Sequence, residues 1–149
     1  MGRPRLNPRL SRVWAALERR PLAEFMERVP ERRLASKDTF EAAVREVDAY
    51  APAFLCVLDE QGCLDGIVSR NELFEAFAQG KDPAAEVRDF MRTDPIVVTP
   101  ADTSLTVGDL MNREDVDWVL VIENKQTRRL LGVILSEKLL HRLLPHVPG

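Results

Sequence analysis

The stretch LDGIV at residues 64–68 decides the fold, because it returns as LLGVI at residues 130–134. In both places it follows a continuous apolar run and a polar turn, and it precedes a segment with helical spacing. A unit that occurs only twice usually buries its face against its sister, and the groove between sisters is a natural ligand site. Three more pairs recur about 65 residues apart: LAEFM and VRDFM (22–26 and 87–91), DT (38–39 and 102–103), and AFLCVL and WVLVI (53–58 and 118–122).

Each copy predicts the order β-α-β-β-α. The continuous apolar runs are typical of strands buried on both faces, and the helical segments carry an apolar face. The two repeats are predicted to span residues 21–80 and 86–145, joined by a short linker. The fold class that follows is α+β, with two β-α-β-β-α repeats packed by pseudo-two-fold symmetry and an N-terminal helix before them.

Residues 1–20 are predicted to form a basic arm that contains this helix. The arm carries six arginines and one glutamate, a net charge of +5, whereas the whole chain has −3. Leu10, Val13, Trp14 and Leu17 lie at helical spacing, so this apolar stripe needs a partner surface. A solvated helix end or a contact with a partner subunit is favoured over binding to phosphate or to an anionic membrane. Nucleic-acid binding ranks last, because the arm lacks the interleaved aromatics of a single-strand reader.

Composition indicates an ordinary globular protein, since 45% of the residues are hydrophobic and 30% are charged. No apolar run approaches the roughly 18 residues that span a bilayer. The N-terminus lacks the apolar core of a secretory signal. We therefore expect a cytoplasmic protein, or the soluble part of something larger, and no membrane span. Cys56 and Cys63 are expected to be ordinary thiols, because that compartment disfavours disulfides.

The sequence contains no set of residues with catalytic or metal-binding spacing. His141 and His146 are five positions apart with Pro145 before the second, so they would not share a helix face. A Gly-rich phosphate loop and a His-Glu-x-x-His motif are both absent from the sequence. We therefore expect no catalytic residues, no metal site and no enzymatic activity.

In their order, the recurring motifs resemble the cystathionine β-synthase (CBS) domain, and the tandem resembles a Bateman module. The resemblance covers residues 21–144 and rests on the Phe-Met pair, the Asp-Thr pair and the strand–turn–strand that contains Gly66 or Gly132. Members of this family bind AMP, ADP, ATP or S-adenosylmethionine in clefts between the repeats and perform no chemistry themselves. The resemblance therefore implies a regulatory ligand of this adenosyl class and no certain cofactor.

The family's ligand motif reads Gly-hydrophobic-any-Thr/Ser-any-any-Asp. In the first repeat Ser69 matches the hydroxyl, Glu72 stands where Asp is usual, and Arg70 is the nearest cation for a phosphate. The alternative interpretation is a helix cap for Ser69 and a first-turn charge for Glu72. Phe54 is either an adenine platform or, as favoured, a core aromatic. By the family's layout the other members of this first site are Ser36, Ala53 and Leu55.

The second repeat departs from the motif at both polar positions. Leu135 replaces the hydroxyl, and Lys138 replaces the carboxylate and cannot accept a hydrogen bond from a ribose, although it could pair with a phosphate. We expect this second site to be silent or altered. The family's layout gives it these members: Thr99, Asp117, Trp118 and Lys138.

Two functions follow from this resemblance. The first is a cytoplasmic sensor module that binds an adenosyl ligand in the cleft between the repeats and regulates a partner of unknown identity. The alternative is a ligand-free pair that acts by dimerisation or by protein interaction. Both predict a homodimer, with the apolar stripe of the N-terminal helix as a plausible contact.

Overall fold

A computed structural model describes residues 20–29, 32–50 and 54–143. The predicted N-terminal helix and Ala53 lie outside these residues. The described helices and strands are, in chain order: α1 (Phe40–Tyr50), β1 (Phe54–Leu58), β2 (Leu64–Ser69), α2 (Arg70–Ala78), β3 (Val97–Val98), α3 (Ser104–Arg113), β4 (Trp118–Ile122), β5 (Leu130–Leu135) and α4 (Ser136–Leu143), with 3-10 helices at Leu22–Phe25 and Val87–Asp89.

The chain divides into two compact units that are not continuous in sequence. The α1–α2 unit consists of the described residues within Val29–Ile96 together with Asn124–Leu130. The α3–α4 unit consists of the described residues before Val29, Val97–Glu123 and the described residues from Leu131 onward. The units and the sequence repeats are therefore different divisions of the chain, and the repeat boundaries stay a prediction.

The α1–α2 unit is built on an antiparallel pair of strands. Phe54 lies opposite Ser69, and Cys56 lies opposite Ile67. The predicted strand before α1 is reduced to one bridge, in which Leu34 pairs in parallel with Val57. All five residues of β1 are buried, as expected for an apolar run without alternation. The two helices cover this sheet through a core formed by Leu34, Phe40, Ala43, Leu55, Val57, Val68, Leu73, Ala76 and Val87.

The α3–α4 unit repeats the same order of elements. β3 runs parallel to β4, and the sheet order is β3-β4-β5. The helix α3 begins at a cap in which the Thr103 hydroxyl accepts a hydrogen bond from the backbone N–H of Thr106, 3.1 Å away. Four residues of β4 are buried, so this strand forms the centre of the core. The prediction of an α+β fold is confirmed.

Two glycines explain why the Phe-Met and Gly motifs recur together. A Cβ atom on Gly66 would lie 2.6 Å from the carbonyl oxygen of Arg92 and 3.0 Å from the Met91 sulfur. A Cβ atom on Gly132 would overlap Met26 and lie 2.5 Å from the carbonyl oxygen of Glu27. Each glycine therefore permits a neighbouring segment to cross the sheet closely, and that segment carries the Phe-Met motif of the other sequence repeat.

The two cysteines are free and differ in exposure. Cys56 is buried in β1, whereas Cys63 is half-buried after the turn. Burial raises the pKa of the Cys56 thiol from its ordinary value of 9.0 to about 12. The folded state therefore favours the neutral thiol. The resulting stabilisation is fully present below pH 9.0 and is lost as the pH rises toward about 12.

We expect a thiol reagent at pH 8 to label Cys63 first and Cys56 only when the protein unfolds. The thiolate is the reactive species, and a pKa near 12 leaves roughly one Cys56 thiol in 10,000 ionised at that pH. Labelling followed by peptide mass spectrometry measures both rates. In the control variant Cys63→Ser, the fast phase should vanish. Rapid labelling of Cys56 in the folded protein would contradict the burial of this thiol.

Candidate functional site

The junction between β2 and α2 is the best-formed part of the predicted first site. Ser69 ends β2 and stands at the N-cap of α2, with extended backbone angles of φ −109° and ψ 177°. Phe54, the first residue of β1, is its partner in the strand register. The structure thus brings together three predicted site residues, Phe54, Ser69 and Glu72, at the end of the sheet where α2 begins.

Glu72 folds back onto the start of its own helix. Its Oε2 atom accepts a hydrogen bond from the backbone N–H of Ser69 at 3.0 Å and a second one from the Ser69 hydroxyl. This is the capping-box arrangement, in which a residue at N3 satisfies the backbone donor of the N-cap residue. The methylene that Glu has beyond Asp is what lets this carboxylate reach the cap. A ribose would therefore meet a carboxylate that is already engaged through Oε2.

Phe54 and Leu55 belong to the wall of the site rather than to an open platform. Phe54 is only 8% exposed, and Leu55 is buried in the core of the α1–α2 unit. A ring with so little free surface is no open platform for stacking. In the structure Phe54 is a core aromatic, which was the favoured interpretation.

Ser36 lies toward the other end of β1. Because Leu34 pairs in parallel with Val57, the chain after Leu34 runs toward Asp59, away from Phe54. Ser36 itself lies in a turn, in which the backbone N–H of Asp38 donates to the carbonyl oxygen of Ala35 at 3.0 Å. The carbonyl oxygen of Ser36 accepts a hydrogen bond from the backbone N–H of Arg88 at 3.0 Å.

Two arginines that the sequence did not single out lie on the Phe54 side of Leu34. Arg32 and Arg33 precede Leu34, so the same parallel register places them level with Leu55 and Cys56. Both are exposed, and Arg32 pairs with Glu46 at 3.6 Å. No local sequence signal identifies them, because their place follows from the pairing of Leu34 with Val57.

Arg70 is exposed and lines an apolar groove between α1 and α2. It is the first residue of α2, next to the Ser69 cap. The structure thus places this cation beside the junction and in contact with the groove.

The predicted second site has the same topology and a different chemistry. Trp118 begins β4 and is half-buried, and the carbonyl oxygen of Asp117 accepts a hydrogen bond from the backbone N–H of Ser136 at 2.8 Å. Lys138 lies exposed in the first turn of α4. Thr99 is level with Ile122, at the opposite end of β4, because Val98 pairs with Val121.

Within the described residues the structure contains no metal-binding group and no helix suited to the bilayer. No three His, Cys, Asp or Glu side chains of those residues are close enough to hold a metal ion. None of the helices in the same part of the chain combines the length and apolarity that crossing a membrane requires.

Comparison with known proteins matches the second half of the chain to a family. The model of the CBS-domain family matches residues 87–145. The second repeat is a CBS domain. Solved CBS structures extend the likeness to most of the chain, so its fold is that of a CBS domain pair, as the sequence predicted. A search of curated proteins found no match.

Three of these solved structures show how far the likeness to the CBS pair extends. The CBS domains of a transcriptional regulator from Streptococcus pneumoniae share 20% identity over 82% of this chain and 92% of theirs, with a TM-score of 0.59. The CBS domain pair of protein MJ0100, solved with 5-methylthioadenosine and S-adenosyl-L-methionine, shares 20% identity over 85% and 96%, with a TM-score of 0.62. CBSX2, solved with AMP, shares 16% identity over 84% and 96%, with a TM-score of 0.70.

Proposed function

We propose that this CBS pair is a non-catalytic regulatory module that binds an adenosyl ligand at the β2–α2 junction. The observation that carries the proposal is the convergence of the Ser69 hydroxyl, the Glu72 carboxylate and the start of α2 beside Phe54. Two structural neighbours were solved with adenosyl ligands, one with AMP and one with S-adenosylmethionine and methylthioadenosine. These ligands support an adenosyl compound as the chemical class, and they do not identify which adenosyl compound this chain binds.

The chemistry of the junction suits a ribose phosphate. A carboxylate accepts both hydroxyl hydrogens of a ribose diol, and the Oε1 atom of Glu72 is the one that the cap does not use in the hydrogen bonds described above. The N-terminus of a nine-residue helix such as α2 offers backbone N–H groups and a positive dipole end to phosphate. Arg70, the first residue of α2, is an exposed cation next to this helix start.

The second site is proposed to be silent or altered. Lys138 stands exposed where a carboxylate would hold the ribose, and Leu135 replaces the hydroxyl at the end of β5. A lysine attracts phosphate and cannot accept hydrogen bonds from a diol. One adenosyl ligand per chain is therefore the expected stoichiometry.

A thermal-shift panel of AMP, ADP, ATP, S-adenosylmethionine and NAD tests this function. A ligand at 100 times its Kd stabilises the folded state by about 2.7 kcal/mol, which is several degrees in Tm. We expect one compound of the panel to produce this rise and Glu72→Ala to abolish it. Because that substitution also removes a cap worth about 1 kcal/mol, the readout is the ligand-induced difference in Tm and not the Tm itself.

Glu75→Ala is the matched control for this experiment. Glu75 lies one turn further along α2, is exposed and takes no part in the cap. It should leave the ligand-induced shift unchanged. If Glu72→Ala and Glu75→Ala respond alike, or if no compound raises the Tm at millimolar concentration, the proposed site is wrong.

A second candidate function is a ligand-free interaction module. It is favoured by the engagement of Glu72 in its own cap and by the 8% exposure of Phe54, since both leave less of the junction open to a ligand. Under this alternative, Ser69 and Glu72 variants lose cap stability and change nothing else. Under both candidates we propose a cytoplasmic protein that forms a homodimer and acts on a protein partner. Sedimentation of the pure protein tests whether the homodimer forms.

A further inference from the structure

The hydrogen-bond donors of Ser69, which a bound anion would use, are already held by a side chain of this protein. The Oε2 atom of Glu72 accepts from the backbone N–H of Ser69 at 3.0 Å and also from the Ser69 hydroxyl. A backbone amide and a serine hydroxyl have one hydrogen each to donate. Both donors of Ser69 are therefore committed to one carboxylate oxygen.

The carboxylate of Glu72 is committed in the same way. A carboxylate oxygen has about two lone-pair sites, so the two donors of Ser69 fill those of Oε2. A ribose diol offers two hydrogens and would find only Oε1 open in these hydrogen bonds. Both residues are half-buried, so water screens their interaction less than it would at a fully exposed site.

The added carboxylate is not needed to begin a helix in this protein. The helices α1 and α3 follow the hydroxyl caps Thr39 and Thr103, whose Oγ1 atoms accept from the backbone N–H of Ala42 and Thr106, each at 3.1 Å. Neither alanine nor threonine carries a carboxylate at this third helical position. A hydroxyl cap alone thus starts both helices, and the carboxylate of Glu72 at the start of α2 calls for a further explanation.

We propose that Glu72 is a latch. In the free protein its carboxylate occupies the Ser69 donors, and a ligand opens the latch by offering phosphate oxygens to those donors instead. The released carboxylate then accepts both hydrogens of the ribose diol. Both Ser69 donors keep an acceptor in either state, so the exchange strands neither of them. The latch rests on the proposed function, because it concerns how the same site at the β2–α2 junction is filled.

The latch selects for an anionic group beside the ribose. Releasing Glu72 leaves two half-buried donors without a partner unless the ligand brings an acceptor, and unpaired donors are costly. AMP, ADP and ATP bring a phosphate, whereas adenosine does not. Arg70, exposed at the first position of α2, is a cation next to that phosphate. We expect the best of the three nucleotides to bind about tenfold more tightly than adenosine, or better.

Glu72→Asp separates the latch from an ordinary cap. This substitution keeps the carboxylate and removes the methylene that lets it reach Ser69. We expect the Kd of the best nucleotide, measured by calorimetry, to fall about tenfold, since a hydrogen bond to a charged group no longer has to be broken. A merely structural cap predicts the opposite, because the variant then has a weaker helix start and gains nothing for the ligand.

The backbone amide of Ser69 reports the latch without depending on a variant. Saturating the parent with the nucleotide should shift this amide resonance, because its acceptor changes from carboxylate to phosphate, and the same concentration of adenosine should leave it in place. Glu75→Asp is the matched control, since it makes the same change at an exposed position one turn further along α2. It should alter neither the Ser69 amide nor the Kd.

Three results would overturn the latch and leave the proposed function standing. Glu72→Asp could bind the nucleotide no more tightly than the parent does, or the nucleotide could saturate the parent without moving the Ser69 amide. Alternatively, adenosine or S-adenosylmethionine could bind at least as tightly as the phosphorylated compounds. If neither the parent nor Glu72→Asp binds any of these compounds, both proposals fail, because removing the latch then opens no site.

Discussion

Gly132→Val should destabilise the protein by about 3 kcal/mol, because no side chain fits between this position and the segment that crosses it. Even one added Cβ atom would overlap Met26 and lie 2.5 Å from the carbonyl oxygen of Glu27. That segment is held by reciprocal backbone hydrogen bonds between Glu27 and Val133, with N–O distances of 2.7 Å and 3.0 Å. Valine would have to break both. A loss of 3 kcal/mol corresponds to roughly 10 °C in Tm for a chain of this size, and calorimetry or urea unfolding measures it.

Gly108→Ala is the control, and its expected effect has the opposite sign. Gly108 lies inside α3, and an added Cβ atom would meet only the Leu139 side chain at an ordinary contact distance of 3.7 Å. Alanine in a helix interior is worth about 0.8–1 kcal/mol more than glycine. If Gly132→Val, like Gly108→Ala, caused no loss of unfolding free energy, the close crossing at Gly132 would be absent in solution.

Phe25→Ala should cost about 3–5 kcal/mol, the range for removing a fully buried aromatic ring. Phe25 is 0% exposed and belongs to the largest fully buried side chains of the described residues. The guanidinium of Arg20 lies over its ring, 4.8 Å from the centroid, and would lose this partner. The 3-10 helix Leu22–Phe25 also packs against α4. Urea unfolding with a fixed m-value gives the change in free energy directly.

Phe77→Ala provides the comparison for this prediction. Phe77 is 76% exposed, so the folded unit loses little burial when its ring is removed. Its cost should stay below about 0.5 kcal/mol. Similar losses for Phe25→Ala and Phe77→Ala would mean that the opening segment is not packed as described.

The strands and helices were predictable because their signals are local. The apolar run that forms β1 and the cap at Ser69 can both be recognised within a few neighbouring residues, and both elements are present. The close contact of Met26 with Gly132 joins residues more than 100 positions apart, so no local pattern contains it. The recurrence of both motifs was visible, whereas the reason for it required the tertiary structure.

The same distinction applies to the candidate site. The sequence predicted a helix cap at Ser69 and a first-turn charge at Glu72, and the structure joins the two residues in one capping box. The places of Ser36 and Arg33 depend on the parallel register between Leu34 and Val57, which the sequence does not state. The two interpretations of Glu72 were a ribose ligand and a first-turn charge, and the hydrogen bond from the backbone N–H of Ser69 to Glu72 was not predicted.

The crossing of the opening segments also constrains how such a chain could have arisen. Phe25 and Met26 open the first sequence repeat yet complete the α3–α4 unit, and Phe90 and Met91 open the second repeat yet complete the α1–α2 unit. A shorter ancestral chain with a single repeat would have lacked a segment to cover its own glycine, and could have obtained it only from an identical neighbour. Gene duplication would then have turned a reciprocal exchange between two molecules into one inheritable polypeptide, free to vary its two repeats independently.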